Sequence, residues 1–111
     1  MKSLEELLQP VRTPDGWSLA DQFKKMVEEN QEVGEELRKY YEIMVELETN
    51  KNSIQLLLQK QLTLTDAAHE AGDVILAAIK LIDLIGIDLK CVLSFCHLKN
   101  EKRGYYSEGA K

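Results

Sequence analysis

The sequence predicts an all-α helical bundle of four to five helices, forming a single domain across residues 1–111. Two observations carry this. Apolar residues recur at spacings of three and four over long stretches, and no run alternates apolar with polar as a half-buried strand would. The turn and capping residues cluster at a few well-separated points, which divides the chain into long helical pieces.

The elements follow in order. Ser3-Leu-Glu-Glu-Leu-Leu reads as a short opening helix ended near Pro10, and "RTPDGW" (Arg12 to Trp17) is turn chemistry around Pro14 and Asp15-Gly16. Ser18 caps a long helix, with Asp21 in the reciprocal capping position. Leu19, Phe23, Met26, Val33, Leu37, Tyr40, Met44 and Leu47 form one apolar stripe along it. "ETNKNS" (Glu48 to Ser53) breaks that pattern, and "IQLLLQKQL" reads as a short helix of its own. Thr63 or Thr65 then caps the next helix, which runs to Gly86 and is apolar around most of its circumference, so it is expected to be the most buried element. Gly86 is a C-cap, Asp88 an N-cap, and a last helix turns Leu89, Val92, Leu93 and Cys96 inward.

Composition narrows the function classes. The chain is 44% hydrophobic and 30% charged, as an ordinary globular domain is. A net charge of −5 argues against a nucleic-acid-binding surface, which needs a basic stripe. The longest apolar run, Val74 to Ile87, is interrupted by Lys80 and Asp83, so no membrane span is expected. With no secretory signal pattern, a cytoplasmic location is expected. Cys91, Cys96, His97 and His69 lack zinc-site spacing, and the cysteines are read as free buried thiols.

The chemistry lies in the acidic residues. "KKMVEENQEVGEEL" (Lys24 to Leu37) crowds Glu28, Glu29, Glu32, Glu35 and Glu36 into one stretch of helix, where like charges one turn apart repel. At 100° per residue, Glu29 and Glu36 fall at the edge of the apolar stripe, with Glu32 just beyond it. Glu28 and Glu35 point away, and solvent explains them. "HEAGD" places Glu70 and Asp73 three apart on a mostly apolar helix. Two helices that each present carboxylates at i and i+3 can build a four-carboxylate cluster between them, which cations must neutralise. All-oxygen ligation selects Mg²⁺ or Mn²⁺ over zinc or copper. The bland alternative is a solvated face with surface salt bridges.

"EENQEV" (Glu28 to Val33) followed by "EAGDVILAAI" (Glu70 to Ile79) resembles the EExxE…ExxD signature of the MazG-type all-α nucleoside triphosphate pyrophosphohydrolases. The likeness runs from "TPDGWSL" to "KNEKRGYY". It implies Mg²⁺-dependent hydrolysis of a nucleoside triphosphate to monophosphate and pyrophosphate. It also implies that Glu29, Glu32, Glu70 and Asp73 are the metal ligands and catalytic residues. A rival register reads "EVGE" (Glu32 to Glu35) as the motif and makes Glu32 and Glu35 the pair. The chain departs from the family at Asn30-Gln31, at Lys80 where Asn is common, and in an insertion around "NKNSIQLLLQ".

Lys99 and Arg103 continue the inward stripe of the last helix and resemble the family's phosphate contacts, although cations at a helix C-terminus also have a dipole explanation. Lys80 lies two turns beyond Asp73, and its stem can carry an ammonium toward the carboxylates or phosphate, or simply snorkel to water. Trp17 and Tyr105, with its neighbour Tyr106, can stack a base, or merely pack. A helix of about thirty residues, roughly 45 Å long, overhangs a bundle this small, which favours a homodimer or homotetramer, as the family resemblance also implies. Two other functions remain: a catalytically degenerate nucleotide-binding or regulatory module, and a structural interaction protein. The register has a direct test in pyrophosphate release. Glu29→Gln should lose most activity and Glu35→Gln should behave nearly as wild type; the reverse pattern would establish the EVGE register.

Overall fold

The computed structural model describes residues 1–106 and is all-helical among them. Helix α1 (Leu4–Leu7) is closed by a capping box: the Glu6 amide donates to Ser3 Oγ at 3.2 Å, and the Ser3 amide donates to the Glu6 carboxylate at 3.3 Å. Helix α2 (Leu19–Thr49, 31 residues) begins with the same device between Ser18 and Asp21, at 3.0 and 2.9 Å. Both starts match the sequence reading, because a capping box is local and needs no tertiary partner.

Helix α3 (Ile54–Ile85, 32 residues) corrects it. No break occurs at Thr63 or Thr65; the helix is continuous from a cap at Ser53, whose Oγ accepts from the Leu56 amide at 3.2 Å. The two threonine hydroxyls instead donate back to the carbonyls of Gln59 and Gln61, at 2.8 and 3.0 Å. A threonine inside a helix satisfies its hydroxyl in this way, and it did not mark a start here. Gly86, at φ 87°, ends α3, donating its N–H to the carbonyls of Ile82 and Asp83. Asp88 then caps helix α4 (Leu89–Lys102) by accepting from the Lys90 amide at 2.7 Å.

The body of the molecule is an antiparallel pair, α2 against α3, while α4 touches α3 only slightly. The register follows from a few contacts: Gln22 meets Ala77, Glu29 lies beside Asp73 and Glu70, and Lys39 and Ile43 share a groove with Gln59 and Thr63. Rising residue numbers on one helix meet falling numbers on the other. Gln22, Glu29 and Leu47 on α2, and Thr63, Ala67, Ala77 and Ile79 on α3, are the buried residues.

The single apolar stripe expected on α2 divides. Met26, Val33, Tyr40 and Met44 are half-buried and Leu47 is buried, whereas Leu19, Phe23 and Leu37 face outward. At 100° per residue those three share an arc with Val27, Tyr41 and Val45, roughly a quarter turn from the seam with α3; all are exposed. Helix α3 carries a matching outer stripe through Leu57, Leu64, Ala68, Ala71 and Ile75, with Ile75 55% exposed. Both stripes are displaced from the seam in the same rotational sense. In an antiparallel pair they therefore emerge on the same side of the hairpin. Cys91 is exposed and Cys96 half-buried, so the expectation of two buried thiols fails for Cys91. The radius of gyration, 18.3 Å, is well above the ~13 Å of a compact chain of about this length. No helix among the described residues is long and apolar enough to cross a membrane.

The continuity of α3 is testable by denaturant unfolding. Ser53→Ala should cost about 1 kcal/mol by removing the cap. Thr65→Ala should be neutral or stabilising by a few tenths, since alanine is the better helix former. A larger loss at Thr65 than at Ser53 would place the helix start where the sequence first suggested.

Candidate metal centre

Midway along the α2–α3 seam, carboxylates from both helices converge. Oxygens of Glu29, Glu70 and Asp73 lie within 4.8 Å of one another. The i, i+3 spacing of Glu70 and Asp73 puts both on the flank of α3 that meets α2. Glu29 is buried, 8% exposed, on the seam face of α2. Glu36 is half-buried and bound by Lys39 at 3.0 Å, while Glu28 and Glu35 are exposed, in line with their predicted directions.

Glu32 is exposed but stands beside the trio. Its carboxyl is raised above the ordinary range, first by a hydrogen bond shared with the Glu70 carboxyl, then by the negative charge of Glu29. Neighbouring carboxyl groups disfavour the ionised form of Glu32 in this way. Glu70 adds a second sign of incomplete charge balance: its Oε2 is buried and has no hydrogen-bond partner. A buried carboxylate oxygen left unpaired is costly, and a cation is its natural complement.

One internal cation is already in place. Lys25 Nζ lies 2.8 Å from Glu29 Oε1, one turn back on α2. The hydrogen bond to Glu29 is the main reason the Lys25 ammonium is held above its usual pKa. Lys25 neutralises Glu29 and leaves Glu70 Oε2 without a partner. A divalent cation with oxygen preference fits this donor set: Glu29, Glu70 and Asp73 offer hard ligands at one point, with Glu32 adjacent.

The other expected site residues lie elsewhere. Lys80 Nζ is 3.1 Å from Asp83 Oδ2, on the side of α3 leading away from Asp73. Lys99 is exposed on α4, and Arg103 is that helix's C-cap. Tyr105 is exposed, and it is Tyr106 that stacks on a ring, that of His97, at 4.5 Å. Trp17 is half-buried near the carboxylates, lining a cleft of about 490 Å³ that also includes Glu29 and Asp73. A larger apolar groove, about 950 Å³, runs between α1, the end of α3 and α4, past Leu8, Ile82 and Leu93, and contains none of the four carboxylates.

Sequence reasoning missed Lys25 and Gln22. Lys25 was signalled by its i, i+4 spacing to Glu29. Gln22 was signalled by position: at 100° per residue it falls on the seam face, where a polar side chain needs a partner. It is 2% exposed.

No protein-family model, curated protein or solved structure matches this chain.

The Glu32 shift gives a pH dependence of definite sign. A carboxyl whose pKa is raised by folding holds its proton more tightly in the folded chain. Its stabilising contribution is therefore full below the ordinary value of 4.5 and is lost as pH rises through the raised value. In chelator, Glu32→Gln should melt increasingly above wild type as pH rises from below 4.5 toward neutrality. Mg²⁺ should shrink the difference. Parallel melting curves for the two proteins at all pH values would show that Glu32 does not sense the cluster.

Proposed function

We propose that this chain is a Mg²⁺-dependent, MazG-like nucleoside triphosphate pyrophosphohydrolase, with Mn²⁺ as an alternative ion. It cleaves the α–β phosphoanhydride bond to release nucleoside monophosphate and pyrophosphate, a house-cleaning activity on the cytoplasmic nucleotide pool. The observation that carries the reading is the meeting of Glu29, Glu70 and Asp73 across two helices, with Glu70 Oε2 buried and unpaired. The EExxE…ExxD resemblance supports it as well, since from their order in the chain it nominates these three residues together with Glu32.

In this reading Glu29, Glu70 and Asp73 hold the ion, and Glu32 completes the set from the solvent side. The bound ion supplies charge neutralisation at the phosphate oxygens and acidifies a water. Glu32, whose carboxyl is raised above its ordinary range first by the Glu70 carboxyl and then by Glu29, would be the group that accepts and releases a proton beside the ion. Lys25, 2.8 Å from Glu29, would stand beside the ion as a further cation for phosphate. Lys80, Lys99 and Arg103 remain the further phosphate contacts proposed from the sequence; α4 meets its own α3 only slightly, so Lys99 and Arg103 serve the site through assembly.

Assembly is part of the proposal. The outer stripes of α2 and α3 form one face rich in exposed apolar residues, and few large side chains are buried among the described residues. A domain with so little buried apolar surface is marginal alone, so a homodimer or homotetramer closes the bundle. Gly34 lies within the α2 stripe and faces open space, where no contact inside the chain requires a glycine. A mid-helix glycine costs about 1 kcal/mol relative to alanine and suits the close approach of another helix.

A second reading is a nucleotide-binding or regulatory module without turnover. The observation favouring it is Lys25, which already occupies Glu29 in place of a metal. Mg²⁺-dependent pyrophosphate release separates the two. Asp73→Asn and Glu70→Gln should each reduce turnover by at least about 100-fold while keeping full helicity, with a melting temperature in chelator equal to or above wild type. Wild-type turnover in either variant removes the metal site. For assembly, Val45→Glu should shift the species in light scattering toward monomer and lower its melting temperature. An unchanged mass would show that the outer face is not the interface.

A further inference from the structure

The cleft beside the carboxylates has a mixed lining: Glu28, Glu29 and Asp73 are acidic, and Val11, Pro14, Trp17 and Leu76 are apolar. Its volume, about 490 Å³, falls within the range of roughly 300–1,000 Å³ usual for small-molecule sites. Arg12 and Lys25 also line it, so its cations stand beside apolar walls as well as carboxylates.

The Trp17 wall is fixed by an unusual buried amide. Trp17 Nε1 donates to Gln22 Oε1 at 2.9 Å, and Gln22 Nε2 donates to the Ala77 carbonyl at 2.8 Å. One glutamine thus ties the segment before α2 to the middle of α3. A tight turn, with the Trp17 amide donating to the Pro14 carbonyl at 3.1 Å and Gly16 at φ 77°, sets the approach. Because Gln22 is almost wholly buried, losing either bond leaves a polar group stranded. The indole N–H is committed to Gln22 and is not free to donate to a ligand, which leaves Trp17 its ring for contact.

We infer that this cleft is the nucleoside subsite, with the base stacked against Trp17 and the phosphates directed toward Glu29 and Asp73, and that Gln22 is the positioning residue for that wall. The inference rests on the nucleotide-hydrolase reading and adds to it. An indole face accepts any base, since every base has a π-face. Discrimination between bases then falls to Arg12 and Thr13, whose side chains border the same cleft.

Trp17 is the only tryptophan, so its emission reports this wall directly. The full-length chain, with Mg²⁺, is titrated with the α,β-imido analogues of dATP and dCTP and, separately, with inorganic pyrophosphate. Turnover of the natural triphosphates is measured on the same preparation. Quenching by both analogues but not by pyrophosphate is the expected result. Gln22→Met should raise the KM for nucleotide about tenfold with kcat within about twofold, a split that general loss of structure would not give. Turnover without quenching overturns the subsite and leaves the metal centre standing. Quenching without turnover upholds the subsite and removes the hydrolase. Equal quenching by pyrophosphate, or neither quenching nor turnover, overturns the subsite; in the last case the hydrolase reading falls with it.

Discussion

Carboxylates brought face to face between two helices set the terms for the rest of this molecule. Glu29 comes from α2, and Glu70 and Asp73 come from α3; the helix pairing that buries Leu47 and Ala67 also presses these charges together. Like charges at such separations repel, and burial strengthens the repulsion. The chain offsets this only in part. Lys25 neutralises Glu29, yet one Glu70 oxygen stays unpaired. A purely structural seam would have apolar residues here. Glu29 is buried, Glu70 half-buried and Asp73 exposed, and in the reading proposed above a cation completes their balance.

The same scarcity connects the site to assembly. The chain has two long helices in side-by-side contact, half of the four-helix arrangement that the assembly proposal requires. The seam fixes the carboxylates, and the face roughly a quarter turn away stays apolar and open. A second copy on that face would stiffen both helices along their length. It would hold the i, i+3 pairs in register without touching them. The catalytic proposal and the assembly proposal thus draw on different faces of the same two helices.

Gln22 shows how a polar residue can serve in such a seam. Its amide bonds Trp17 on one side and the Ala77 carbonyl on the other, converting a loop into a wall of the cleft. The carboxylates are arranged by helix geometry, whereas the wall is arranged by one side chain. That difference explains why the acidic residues have a recognisable spacing and Gln22 does not.

What the sequence alone determined was local or periodic. The short helix that opens at Ser3, the caps at Ser18 and Asp88 and the stop at Gly86 depend on neighbours within a few residues, so they could be read directly. Helical periodicity likewise separated Glu29 from Glu28 and Glu35. The tertiary structure decided whatever depended on partners distant in sequence. Thr63 and Thr65 have the composition of a helix start, and only the unbroken α3 ladder shows their hydroxyls bonding back to Gln59 and Gln61. Periodicity could not divide the α2 stripe into a seam face and an outer face, because both are apolar and their angular spread is continuous. Nor could it show that Lys80 pairs with Asp83 while Lys25 pairs with Glu29, since a lysine stem reaches a turn in either direction and local packing selects the partner.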